Sequence, residues 1–257
     1  MKSVFLLSPA YCGGRRASIL LNPKSPAVTS CALRSGTLSL GGAFTFMSGL
    51  YFRGKLSYAQ RFGEALVITP TRGLQDPERP FTLALLREFA VGDVSLDNPE
   101  YRSALERDVA ALSKRIGNKA QVVLLGSVAS GKYVDVLLPI LGDRLRYPTS
   151  FVGRGDMSRG GLLLRSAANG QELEYGPLTA GVRPRGPRPP KLDPLTRVGP
   201  SAVAVSWDHE TEPPRTRAAR GIIEPALSAG TPGAKGLGAV VDIRLRPRPR
   251  VHGRPRS

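Results

Sequence analysis

Residues 98–132 read NPEYRSALERDVAALSKRIGNKAQVVLLGSVASGK, and the order of signals in this stretch decides the class of fold. Asn98 followed by Pro99 is a helix cap with proline at the first helical position. Tyr101, Leu105, Val109, Leu112 and Ile116 then recur along one helical face until Gly117. Directly behind comes Gln121-Val-Val-Leu-Leu125, a continuous apolar run suited to a strand buried on both faces of a parallel sheet. A helix that feeds such a strand belongs to a βαβ unit.

The flanking sequence repeats this alternation. Ser3 to Ser8 is a short apolar run ended by Pro9 and Gly13-Gly14, so it predicts a first buried strand, with a helix beginning over Arg15 to Leu21. Between Ser48 and Phe62, the residues Phe52, Leu56, Ala59 and Phe62 fall at helical spacing, with Arg53, Lys55 and Gln60 off that face, and Gly63 stops the helix. Ala65 to Thr69 predicts a second strand ended by Pro70, and Tyr133 to Leu141 a helix. Leu162–Ala167 and Glu172–Tyr175 flank Asn169-Gly170, the dipeptide most favoured in tight hairpins. The expected fold is α/β, a mostly parallel, doubly wound sheet with a C-terminal antiparallel hairpin, over residues 1–178.

Composition separates that domain from the rest of the chain. The protein has 257 residues, 37 Lys+Arg against 20 Asp+Glu, and a net charge of +17. Residues 1–180 hold 22 basic and 14 acidic groups; residues 181–257 hold 15 and 6, together with 13 of the 23 prolines. Proline lacks the ladder donor and the arginines repel, so 179–257 is read as an Arg/Pro-rich disordered tail. Such a tail can hold nucleic acid by counterion release, although Trp207 is its single aromatic for stacking. The same mixture is what a GC-rich gene yields when read out of frame.

Other chemistry is excluded by inventory. Two cysteines, Cys12 and Cys31, cannot build a disulfide-dense scaffold or a four-cysteine zinc site. The apolar run at Val4–Leu7 is too short for a signal peptide and no run is long enough for a membrane span, so a cytoplasmic protein without a membrane partner is expected. Both histidines, His209 and His252, lie in the tail. Without imidazole, residues 1–180 cannot host a Ser-His-Asp or Cys-His apparatus, nor a histidine zinc site. No metal ligands are expected and no cofactor is indicated. Any acid or base in this region must be Asp, Glu, Lys, Tyr or Cys.

Three loops carry candidate binding chemistry. Gly126-Ser-Val-Ala-Ser-Gly131-Lys132 satisfies a phosphate-loop pattern between strand and helix, but Tyr133 stands where a nucleoside triphosphatase needs Ser or Thr for magnesium. Two readings remain open, backbone anion binding at a helix start and a structural turn with Lys132 solvated. Gly153-Arg-Gly-Asp-Met-Ser-Arg-Gly-Gly161 is either a flexible connection or a phosphate clamp through Arg154 and Arg159. Cys12, near Gly13-Gly14-Arg15-Arg16, is a small packed side chain or a thiol activated by nearby cations. In an open parallel sheet, turns after strand carboxyl ends share a crevice. The turns Ser8–Arg15, which holds Cys12, Thr69–Gly73, and Gly126–Lys132, with Gly131, would then converge, and Ser8, Thr69, Ser127 and Ser130 with Arg15, Arg72 and Lys132 would form one basic, hydroxyl-rich rim.

The blocks Leu7-Ser-Pro-Ala10 with Cys12 and Arg16-Ala17, Gly49-Leu-Tyr-Phe-Arg-Gly-Lys55, Leu124-Leu-Gly-Ser127 with Gly131-Lys-Tyr133, and Phe151 to Gly161 together resemble a family of bacterial proteins without an assigned activity. The resemblance spans residues 1–178. More distantly, Leu50–Ala59 and Val67–Leu74 are similar to α/β domains of unknown function, some linked to nucleobase modification. The resemblance implies a shared fold and one site formed by these blocks.

The expected ligand is a phosphorylated or nucleobase-containing small molecule. Arg15, Lys132, Arg154 and Arg159 would hold its phosphate, and Asp135 or Asp156 would serve as catalytic carboxylate on an N-glycosidic bond. The rival expectation is a non-catalytic nucleic-acid-binding or accessory protein that works through the basic tail.

Overall fold

A computed structural model describes residues 3–179, 181, 184–190 and 192. The tail expectation therefore falls almost wholly outside the described residues, as do Trp207, His209 and His252. Residues 184–190 contain neither helix nor strand.

The centre of the molecule is β1 (Ser3–Leu7), all five residues of which are buried. It pairs in parallel on one side with β2 (Gly63–Ile68) and on the other with β4 (Val122–Leu125). Beyond β2 lies β3 (Leu74–Gln75), antiparallel. Beyond β4 lies β5 (Leu145–Pro148), parallel, and then β6 (Tyr175–Pro177), antiparallel. The sheet order is β3-β2-β1-β4-β5-β6, a mixed six-stranded sheet with three parallel and two antiparallel pairings.

Alternation along β1 divides the core. Phe5 and Leu7, with Val67, Val123 and Leu125, face one apolar cluster. Its helices are α1 (Arg15–Leu21), α2 (Val28–Arg34), α3 (Leu40–Ser48), α4 (Leu50–Phe62), α5 (Leu83–Val91) and α8 (Asp156–Asn169). Val4 and Leu6, with Ile68, Val122 and Leu124, face the other cluster, built on α6 (Pro99–Ile116) and α7 (Gly131–Leu141). Strand side chains point alternately to opposite faces, so a run with no polar position requires cover on both. The result is a three-layer α/β domain. No helix among the described residues is long and apolar enough to cross a membrane.

The deciding stretch folds as its pattern predicts. Asn98 Oδ1 accepts from the Glu100 amide at 3.1 Å, and Tyr101, Leu105, Val109 and Leu112 are buried. The Tyr101 hydroxyl donates to the Lys132 carbonyl at 2.8 Å, tying α6 to the first turn of α7.

The expected hairpin at Asn169-Gly170 is not formed. Leu162–Ala167 belongs to α8, and Gly170 ends that helix with φ 65° and ψ 21°. Its amide returns to Ala167 O and that of Gln171 to Ser166 O. The same capacity for positive φ that suits Asn-Gly to a hairpin suits glycine to a helix stop. The antiparallel edge is instead the pairing of β5 with β6. The Gly153–Gly161 segment is likewise no plain connection, because α8 starts at Asp156.

Candidate functional site

The order of the sheet reverses at β1, since β2 lies to one side and β4 to the other. Turns leaving the carboxyl ends of β1 and β4 therefore diverge and leave a crevice between them. A cleft of about 260 Å³ opens there, lined by Ser8, Pro9, Ala10 and Tyr11 after β1, and by Ser127, Lys132 and Tyr133 after β4. The remaining wall comes from α4, through Tyr51 and Lys55, and from the first turn of α8, through Asp156 and Arg159; Ser48 completes it. An adjoining cleft of about 200 Å³ shares Pro9, Ala10, Tyr11, Lys132 and Tyr133 and extends toward Cys12, Pro70 and Asp93. Tyr11, 71% exposed, stands on the rim of both.

The α4–α8 wall exists because two glycines let the helices touch. A Cβ on Gly54 would lie 2.6 Å from Gly160 O, and one on Gly160 would lie 2.7 Å from Leu50 O and 2.8 Å from Tyr51 Cα. At that separation Tyr51 and Lys55 stand beside Asp156 and Arg159.

Lys55 lies at the floor, 1% exposed. Its ammonium donates to Ser8 O at 2.5 Å and to Ser8 Oγ at 2.9 Å, and sits 4.5 Å from the Tyr51 ring centroid and 4.9 Å from that of Phe52. Burial pushes its pKa down to about 7; Asp156 opposes that shift and Arg159 adds to it. Ser8 Oγ in turn donates to Leu125 O at 3.3 Å. The Tyr51 hydroxyl is buried beside Arg159; burial raises its pKa to about 12, opposed by the Arg159 charge and a hydrogen bond to that side chain. Burial also moves the Tyr133 phenol well above its ordinary range.

Arg159 is held in place by the turn that leads into its own helix. Its Nε and Nη2 donate to Phe151 O at 3.2 and 3.1 Å, the guanidinium lies over the Phe151 ring at 5.3 Å, and Asp156 is 3.8 Å away. Lys132 lies over the Tyr133 ring at 5.1 Å.

Of the residues singled out in the sequence, Ser8, Ser127, Lys132, Asp156 and Arg159 meet in this cleft. Gly126, Ser130 and Gly131 build the turn into α7; the buried Ser130 hydroxyl makes no hydrogen bond. Others are placed elsewhere. Arg72 forms a two-pronged pair with Glu88, at 2.8 and 2.7 Å, away from the cleft. Arg154 donates to Ser150 O and Ser158 Oγ, and lines a separate depression across α8. Arg15 and Asp135 lie on exposed surface outside the cleft lining, which leaves Asp156 as the carboxylate there. Cys12 is buried, donates to Ala10 O, and burial pushes its thiol up to about 12, the opposite of activation by Arg15 and Arg16.

Lys55 overturns its placement off the apolar face of α4. It lies four residues after Tyr51 and three after Phe52, inside the buried stripe, so the signal was a cation at an apolar helical position. No cluster of three or more potential metal ligands occurs among the described residues. The chain matches no protein-family model, no curated protein and no solved structure.

Proposed function

We propose that the cleft binds a phosphorylated, nucleobase-containing small molecule, with its phosphate against Lys132 and Arg159 and its base toward Tyr11. The supporting observation is the convergence of Lys132, Arg159, Asp156 and the hydroxyls of Ser8 and Ser127, from three separate chain segments, at the sheet's reversal point. The Arg159 guanidinium, its Nε–Nη2 edge fixed on Phe151 O, has its Nη1 end left for a phosphate oxygen, and Lys132 adds a second positive charge. An exposed aromatic at the rim is a surface on which a base can stack. The sequence blocks Leu7–Ala10, Gly49–Lys55, Leu124–Tyr133 and Phe151–Gly161 supply most of this lining: Ser8 to Ala10, Tyr51 with Lys55, Ser127, Lys132 with Tyr133, and Asp156 with Arg159. On an N-glycosidic ligand, Asp156 is the group available to stabilise positive charge at the anomeric carbon.

Titration calorimetry with nucleoside monophosphates, sugar phosphates and inorganic phosphate tests this reading. The wild type is expected to prefer a nucleoside monophosphate, with Arg159→Ala and Lys132→Ala each weakening it by about tenfold or more, since a charge-assisted hydrogen bond contributes roughly 1.5–3 kcal/mol. Equal binding by the variants, or heat from none of the panel, refutes it.

A further inference from the structure

The cleft floor pairs the Ser8 hydroxyl with a base, Lys55, to which the ligand-binding reading gives no role. Ser8 Oγ and Lys55 Nζ are 2.9 Å apart, and Lys55 also donates to Ser8 O, which holds the amine in register with the hydroxyl of the same residue. No ion pair within 4 Å joins Lys55 to a carboxylate among the described residues. Both residues border the open cleft. With no histidine in residues 1–180, lysine is the strongest nitrogen base the site can offer.

We propose that Ser8 and Lys55 form a serine–lysine nucleophilic pair that transfers an acyl group from an anionic ester bound in this cleft. In the charged state Lys55 donates to Ser8 Oγ, and the hydroxyl donates to Leu125 O at 3.3 Å. When Nζ loses its proton, the Ser8 hydroxyl turns to donate to it. Attack then forms the Oγ–C bond, the carbonyl π pair moves onto oxygen, and Nζ takes the hydroxyl proton. Collapse of the tetrahedral adduct breaks the bond to the leaving alcohol, which receives that proton from Nζ. Water repeats the sequence, releasing the carboxylic acid and restoring Ser8. The Tyr51 hydroxyl, buried beside Arg159 in the cleft wall, is a donor for the developing oxyanion, while Lys132 and Arg159 select an anionic substrate.

The charges and titrating groups facing Lys55 are Tyr51 on its own helix, Lys132 and Tyr133 from α7, and Asp156 and Arg159 from α8. Since the deprotonated amine is the active form and burial brings its pKa to about 7, the reaction speeds up as pH rises from 6 to 8.

The test uses the full chain and an alkyl fluorophosphonate, which is attacked at phosphorus with loss of fluoride while Nζ takes the Ser8 proton. Intact mass and peptide mapping are expected to show one adduct, on Ser8, formed about tenfold faster at pH 8 than at pH 6, as a base of that pKa requires. Ser8→Ala should abolish labelling and Lys55→Met should slow it by about 100-fold or more. Absence of a Ser8 adduct on the wild type, or a rate that is flat with pH, overturns the proposal. So does an unchanged rate in folded Lys55→Met. Should Lys55→Met fail to fold, the wild-type pH profile and Ser8→Ala decide it. Nucleotide calorimetry is a separate measurement, so loss of either proposal leaves the other standing.

Discussion

At the scale of single residues, Lys55 is the most informative position because its burial has a thermodynamic signature apart from any ligand. In an unfolded chain a lysine keeps its proton to about pH 10.4, whereas in the folded protein this one releases it at about 7. Between those values unfolding takes up a proton, so raising the pH favours the folded state. The difference in unfolding free energy between wild type and Lys55→Met should therefore move in favour of wild type from pH 7.5 to 8.5. The expected slope is up to about 1.4 kcal/mol per pH unit. Urea titrations at several pH values measure it. A parallel pH dependence in the two proteins would mean that the amine is not desolvated. Cys12 is present in both, so its raised pKa cancels from the comparison. The sequence concealed Lys55 because a lone cation is ordinarily assigned to the wet side of a helix. Only the neighbouring Tyr51 and Phe52, four and three residues back, mark it as inside. Arg72 shows the converse: a loop cation after a strand, correctly placed in sequence, is already matched by Glu88 from a distant helix. Spacing along the chain does not reveal such a partner.

At the scale of elements, the cleft depends on the crossing of α4 and α8. Gly160→Ala would set a methyl against Leu50 O and Tyr51 Cα at under 3 Å, both backbone atoms that a side-chain rotation cannot relieve. Overpacking of this kind costs about 1–3 kcal/mol. Because the helices must separate, the same substitution should weaken both nucleotide binding and Ser8 labelling. Thermal unfolding together with calorimetry checks this: a stability loss with unchanged cleft chemistry would detach the wall from the site. The glycines of Gly153–Gly161 are visible in the sequence, but they point to a loop because glycine is a poor helix former. The compensating gain is contact with a helix about a hundred residues earlier. The hairpin expectation fails for a related reason. Asn169-Gly170 correctly marks a place of positive φ, while the choice between turning a strand and ending a helix lies with Leu162, Leu163 and Ala167, whose apolar face packs on the first core cluster.

At the scale of the whole molecule, the sheet order explains why local reading goes far. β1, β2 and β4 are short, apolar and bounded by proline or glycine, so each is legible by itself, and their parallel pairing follows from the helices between them. β3, β5 and β6 have two to four residues and no distinctive pattern, and only the assembled edge specifies them. β1 is the strand on which both core clusters lean. Phe5, fully buried and edge-on to Tyr58 at 5.5 Å, should cost about 3–5 kcal/mol on truncation to alanine. Chemical denaturation reads this directly; a loss below about 1 kcal/mol would contradict the central placement of β1.

The contact of Gly54 with Gly160 also bears on how the site can move. Two backbones touching without intervening side chains behave as a single stiff jaw, so Tyr51, Lys55, Asp156 and Arg159 travel together. Ser8 is fastened to that jaw through Lys55, so any closure around a guest falls to the turns beyond it, Pro9 to Gly14 and Gly126 to Ser130. Hydrogen exchange on ligand addition should slow there first and leave the helical jaw unchanged.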